Sequence, residues 1–263
     1  MKKIGIAYVL FFISTTIFAQ YDVATAKWRS QAIQIDGFAK DWSTPLRFYD
    51  AETKLFFTFI NDSTHLYICF QSNDERNQVK INRAGMKVFI TTKGKEKHKG
   101  SIEFPLTDGK LNFASEEVNE EVVPDIPSLK NTFLLQNTNM ALKGFATQNG
   151  VLPITDTSGI HISMNWNEKN IMTYEIAIPI KELFGAHYTV KDLGKTILLA
   201  VEVNAITRNE EGTLDASSVA MGSASGSQGS GMTRNMPGAT TKEKRPLFDK
   251  NKFKQKFVLA KKP

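Results

Sequence analysis

The sequence predicts an all-β protein, an antiparallel β-sandwich of the immunoglobulin or jelly-roll kind with one or two short helices. Two observations carry this. Apolar residues recur with a period of two in a succession of short runs rich in aromatic and β-branched residues. Between those runs lie Gly, Asn, Asp and Ser clusters, and helical periodicity is scarce.

The runs can be taken in order. "AIQID" alternates through Ile33 and Ile35 and turns at Asp36-Gly37. "KLFFTFI" (54–60) and "HLYICF" (65–70) flank Asn61-Asp62-Ser63-Thr64, the composition of a hairpin with a short loop. Further strands are expected at "MKVFITT" (86–92), "GSIEFPL" (100–106), "IHISMNW" (160–166) and "IMTYEIAIP" (171–179). In the last of these Tyr174, Ile176 and Ile178 share one face, Glu175 and Ala177 the other. "ILLAVEVNAI" (197–206) and "KFKQKFVLA" (252–260) complete the set. "PIKELFG" reads as a short helix, with Pro179 first and Gly185 last. Residues 107–143 read as a long loop with room for one short helix, which Pro124 limits to a few residues before it. Residues 212–244 are Gly/Ser-rich and are expected to form a flexible internal loop before the final strand.

Lys2 and Lys3, the apolar run from Ile4 to Phe18 and the small Ala19 have the anatomy of a secretory signal peptide over residues 1–19. Residues 20–263 then form one β-sandwich domain with no membrane span, periplasmic or secreted. The single Cys69 permits no intrachain disulfide and falls within an apolar strand, the setting of a buried small hydrophobe. The formal charge is +6, much of the excess lying in the last residues. Export disfavours nucleic acid as a partner, and a lysine-guarded edge strand accounts for these cations.

"IDGFAKDW", "TKLFFTFINDSTHLYICFQSND" and "YEIAIPIKELFG", in that order, resemble the family 9 carbohydrate-binding modules and their DOMON-like relatives, among them exported proteins of the Bacteroidetes type. The resemblance implies a family 9 type sandwich and a glycan-binding role. It also implies tryptophans on two binding loops. The matching segments, 71–85 and 203–218, contain no aromatic residue. Asp36-Gly37 and Asp41-Trp42 read as architecture, a tight turn and a large plug at one end of the sandwich.

Catalysis lacks a motif: the four histidines are scattered, and no nucleophile elbow is present. The expectation is therefore an exported non-catalytic binding module. Its candidate ligand-binding residues are Asp74, Glu75, Arg76, Asn204, Arg208 and Trp166, with Trp28 a second aromatic platform. Asn73, Asp74 and Glu75 could supply oxygen ligands to calcium, and no other cofactor is expected. A haem reading, through Met221, Met232 or Met236 with His161 or His187, suffers from a floppy support. The partner is a glycan or a cell-envelope protein. The second of these fits a structural sandwich that has lost its sugar site, and oligomeric state stays open.

Overall fold

A computed structural model describes residues 23–92, 99–106, 126–206 and 247–263. Strands β1 (Ala24–Thr25), β2 (Lys27–Trp28) and β3 (Phe48–Asp50) are short, and β4 (Leu55–Asn61) and β5 (His65–Ser72) form the expected hairpin. Helix α1 (Glu75–Ala84), β6 (Met86–Thr92) and β7 (Lys99–Phe104) follow. Beyond them come α2 (Ile126–Gln136), β8 (Asn139–Lys143), β9 (Gly150–Pro153), β10 (His161–Trp166) and β11 (Met172–Pro179). Helices α3 (Ile180–Phe184) and α4 (Val190–Leu193), then β12 (Ile197–Val203) and β13 (Asn251–Val258), complete the described chain. Among the described residues no helix is long and apolar enough to cross a membrane.

The strands make two sheets. One has seven strands in the order β1-β13-β12-β6-β7-β8-β9. The other has six, in the order β10-β11-β5-β4-β2 with β3 also on β4. Pairing is antiparallel except where β1 joins β13 and β2 joins β4. The inward side chains of both sheets form one core, as the alternating sequence requires. Leu55, Phe57 and Phe59 of β4 face Phe253 and Phe257 of β13, and the rings stack at 4.6 Å for Phe57–Phe253 and 4.2 Å for Phe59–Phe257. Such aromatic contacts fix one sheet against the other.

Three expectations need correction. "AIQID" is extended but joins no ladder; its residues belong to a segment lying on the outer face of the six-stranded sheet. The loop expected at 71–85 is largely a helix, and the described residues hold four α-helices where one or two short ones were expected. Within 107–143, α2 lies after Pro124, with Pro127 tolerated in its first turn, where the missing N–H has no helical partner to lose. The Gly/Ser-rich segment 212–244 lies outside the described residues, as do the leader 1–19 and Arg208.

Helix α1 explains its own omission. Its only buried apolar side chains are Val79 and Ile81, whereas Asn77, Gln78, Lys80 and Asn82 are buried and polar. Hydrogen bonds replace apolar periodicity: Gln78 Nε2 donates to Ser72 O (2.9 Å) and Asn170 O (2.8 Å). Lys80 Nζ donates to Asp249 O and Asn251 Oδ1, holding the start of β13. Burial lowers the Lys80 ammonium to about 8 against the opposing charges of Asp249 and Glu52.

Candidate ligand-binding site

The outer face of the six-stranded sheet is organised in transverse rows by the ladder register. One row runs Tyr49, Phe56, Gln71, Thr173, Asn165 across β3, β4, β5, β11 and β10. The next runs Thr58, Cys69, Glu175, Ser163, and the third Ile60, Tyr67, Ala177, His161. Residues 29–46 form a flap over this face, and Trp42 and Leu46 pack on Tyr67, Cys69 and Ala177. Trp42 is therefore buried scaffold (4% exposed), but on the outside of a sheet rather than as a plug at the sandwich's end.

One carboxylate fastens the flap. Glu175 is fully buried and accepts from Gly37 N (2.7 Å) and Asp36 N (3.0 Å) at Oε2 and from Trp42 Nε1 (2.5 Å) at Oε1. Burial raises its carboxyl to about 7, the Gly37 and Trp42 donors pulling the other way and the Asp36 charge adding to the rise. Gly37 has φ +83, and an added Cβ would stand 2.6 Å from Asn165 Cβ, so only glycine fits where the turn meets β10. Asp41 Oδ2 accepts from Gln34 N (2.9 Å), which holds the loop before it. Cys69 lies beneath as a buried thiol, pushed up by burial and then by the Glu175 charge.

Beside the flap a cavity of about 570 Å³ remains open. Its floor includes Phe56 and Gln71. Phe38, Pro45 and Leu46 of the flap make one wall, and the β10–β11 turn with Asn167, Glu168 and Lys169 makes another. That turn is braced: Asn167 Oδ1 accepts from Lys169 N (2.9 Å) and Ile171 N (3.0 Å), and Lys130 Nζ reaches Asn170 Oδ1 (2.7 Å). Gln71 Nε2 donates to Thr173 Oγ1 (3.2 Å), so its amide is oriented along the row. Tyr49 continues the row outward, 54% exposed with its ring 4.6 Å from that of Phe56. The arrangement offers aromatic faces beside an amide and charged rim groups, which suits a polar ligand with an apolar side.

The residues picked from sequence are scattered by the fold. Asn73 lines the cavity. Asp74 is the N-cap of α1: Oδ1 accepts from Asn77 N (2.8 Å) and Oδ2 pairs with Lys54 Nζ. Glu75 and Arg76 are exposed in the first turn of that helix. Asn204 instead sits at the helix's other end, donating from Nδ2 to Ala84 O (2.8 Å), so about 15 Å of helix separates it from Asp74. Trp166 borders the cavity, yet is only 5% exposed; its Nε1 donates to Gln78 Oε1 (2.9 Å) and its ring meets Phe133 edge-on. Both Asp74 oxygens are engaged, Oδ1 by Asn77 N and Oδ2 by Lys54 Nζ, and no cluster of three or more His, Cys, Asp or Glu suited to a metal occurs among the described residues. Of the haem candidates, His161 is half-buried and His187 exposed, while Met221, Met232 and Met236 lie outside the described residues. Phe38, Tyr49, Phe56 and Gln71 were missed. The alternation of Phe56 and Gln71 along their strands was the available signal.

No family model matches the chain, and no curated protein does. Among solved structures, a family 9 carbohydrate binding module from Caldicellulosiruptor kristjanssonii in complex with glucose is similar at a TM-score of 0.33 and 10% identity, over 70% of this chain and 78% of that one. A likeness at that level carries no functional inference.

Proposed function

We propose that the chain is a non-catalytic binding module that takes a glycan on the outer face of its six-stranded sheet. The row from Tyr49 through Phe56 and Gln71 to Thr173 supports this reading most directly. It spans three strand intervals, about 14 Å; Phe56 and Gln71 at its middle line the open cavity, Tyr49 is exposed beside them, and the buried Thr173 orients Gln71. Sugar rings present C–H faces to aromatic rings and hydroxyls to amides, and the row offers those two chemistries side by side. Asn73, Asn167 and Lys169 add polar contacts at the rim. Glu168 is the single acid among the cavity's lining residues, whereas glycoside hydrolysis requires a carboxyl pair flanking the bond. Export to the periplasm or cell surface, from the leader-like N-terminus, belongs to the same reading.

A glycan array run on the full chain, with calcium and with chelator, tests the proposal. A defined set of glycans should bind, and Phe56→Ala and Tyr49→Ala should each weaken binding by about tenfold, as loss of a contacted aromatic does. Chelation should change nothing. An array without hits, or hits that survive both substitutions, would overturn the assignment. Loss of binding on chelation would return calcium to the site.

A further inference from the structure

Among the described residues the outer face of the seven-stranded sheet has no covering like residues 29–46, and its register places lysines at both sides of a narrow apolar strip. Across one row Lys254 of β13 stands opposite Ala200, then Phe89, Ser101 and Lys143. The adjacent row runs Lys256, Leu198, Thr91, Lys99. In the third, Lys252 stands opposite Glu202, Lys87 and Glu103. The two acids are already matched, Glu202 by Lys250 at 2.9 Å and Glu103 by Lys87 at 3.2 Å. Lys99, Lys143, Lys254 and Lys256 have no carboxylate within ion-pair reach among the described residues. Lys99 instead rests its ammonium 5.3 Å from the centre of the Phe89 ring.

A depression of about 510 Å³ lies on this face. Phe89, Ser101, Lys143 and the paired Lys87 and Glu103 line it, and Asn149 and Gly150 of the β8–β9 turn close one side. Phe89 is half-buried, so its ring lies below the level that the flanking lysine tips can reach. That relief is wrong for a bilayer, which meets apolar side chains standing proud of the charged ones. It is right for a narrow polymer whose rings settle into the strip while its acidic groups point to the sides. Lysine, a compact cation on a flexible stem, suits dispersed carboxylates better than a fixed two-pronged partner. The β13 lysines repeat every second residue, about 6.7 Å apart, and form a cationic border beside the strip.

We infer that this depression is a second binding site, specific for an acidic polysaccharide of the polyuronate class. A sugar ring stacks on Phe89, Lys143 and Lys99 meet its carboxylates, Lys87 stays paired with Glu103, and Lys254 and Lys256 border the strip from the other side. The site is on the opposite sheet from the proposed glycan row, so either can fail without the other.

Titration calorimetry with polygalacturonate, with dextran as neutral control, tests it on the full chain. Polygalacturonate should bind at low salt and weaken several-fold by 0.3 M NaCl, as screening of exposed charges requires, where the Debye length is under about 8 Å. Lys99→Glu combined with Lys143→Glu should weaken binding by about tenfold, whereas Lys191→Glu on α4, with half that charge change and off this face, should leave it within about twofold. Phe89→Ala should also weaken it without any change of charge; where that variant fails to fold, Ser101→Gln, which fills the depression, replaces it. Polygalacturonate binding no tighter than dextran would overturn the site. So would equal losses from Lys191→Glu and the Lys99/Lys143 pair, or full retention in both depression variants. Preferential binding to phosphatidylglycerol vesicles over the polymer would assign the face to a membrane instead.

Discussion

The outer face of the six-stranded sheet is partly roofed by residues 29–46, whereas that of the seven-stranded sheet carries lysines around two half-buried apolar side chains, Phe89 and Leu198. Both faces have the same ladder geometry and the same alternation, so backbone does not explain the difference. The outward residues do. On the roofed face Tyr67, Cys69 and Ala177 present an apolar patch with one carboxylate, Glu175, in the row beside it. That carboxylate is a point to which backbone N–H groups of a passing chain can bind. On the other face, which no described segment covers in this way, outward positions 252, 254 and 256 of β13 are lysines, whose desolvation beneath a chain would cost several kcal/mol each. A sheet face is covered or left open according to whether its polar groups can be satisfied by a backbone.

The largest test of this contrast is Trp42→Ala. It removes the main apolar contact of the roof and one donor to Glu175, and should cost about 3–5 kcal/mol by urea unfolding. A cost below that of Phe89→Ala, expected at about 1–2 kcal/mol for a half-buried ring, would erase the distinction between the faces.

Next comes pH. Glu175 has a folded pKa of about 7 against an ordinary 4.5, so the folded state holds its proton longer than the unfolded one. Its contribution is fully present below about 4.5 and is lost as pH rises through 7, a change of about 3 kcal/mol. The half-buried His65 and His161, lowered chiefly by burial, titrate in the opposite sense, gaining stability as pH rises towards 6.5. The difference between the native chain and Glu175→Gln, measured at pH 4.5, 6 and 8, isolates the carboxylate. A difference that stays constant with pH would show that Glu175 is ionised throughout.

The smallest effects belong to the exposed side chains. Tyr49→Ala and Lys254→Ser should each shift stability by no more than about 0.5 kcal/mol, while affecting only the ligand of their own face. Loss of both ligands from either change would join the faces into one surface.

The long strands were legible because their apolar alternation coincides with one buried face: 86–92 matches β6, and the 54–70 hairpin matches β4 and β5 within a residue or two. Helix α1 was not, because its buried face is amide and ammonium rather than apolar; the Asp74 cap and the Gly85 end were the only marks it left. The site was legible in part. Asn73 and Trp166 border the cavity, but the flap that supplies Phe38 and Leu46 depends on Glu175, which lies well over a hundred residues away in sequence. No local pattern couples an acid on β11 to the turn at Asp36-Gly37. The Asp-Gly and Asp-Trp pairs are framework for that reason, with Gly37 and Trp42 meeting the carboxylate directly.

The pairing of β13 has a consequence for the order in which the protein is made. Asn61 Oδ1 accepts from Ala260 N (2.7 Å) and its Nδ2 donates to Ala260 O (3.0 Å), partners 199 positions apart. At a synthesis rate of about 5–20 residues per second, Asn61 waits on the order of 10 to 40 s for Ala260 to be made. Until near its end Phe57 and Phe59 lack the rings of Phe253 and Phe257, and β12, once made, still lacks its outer neighbour. The growing chain therefore lacks a closed core until its last strand is made, and until then its apolar strands stay open to a holding chaperone.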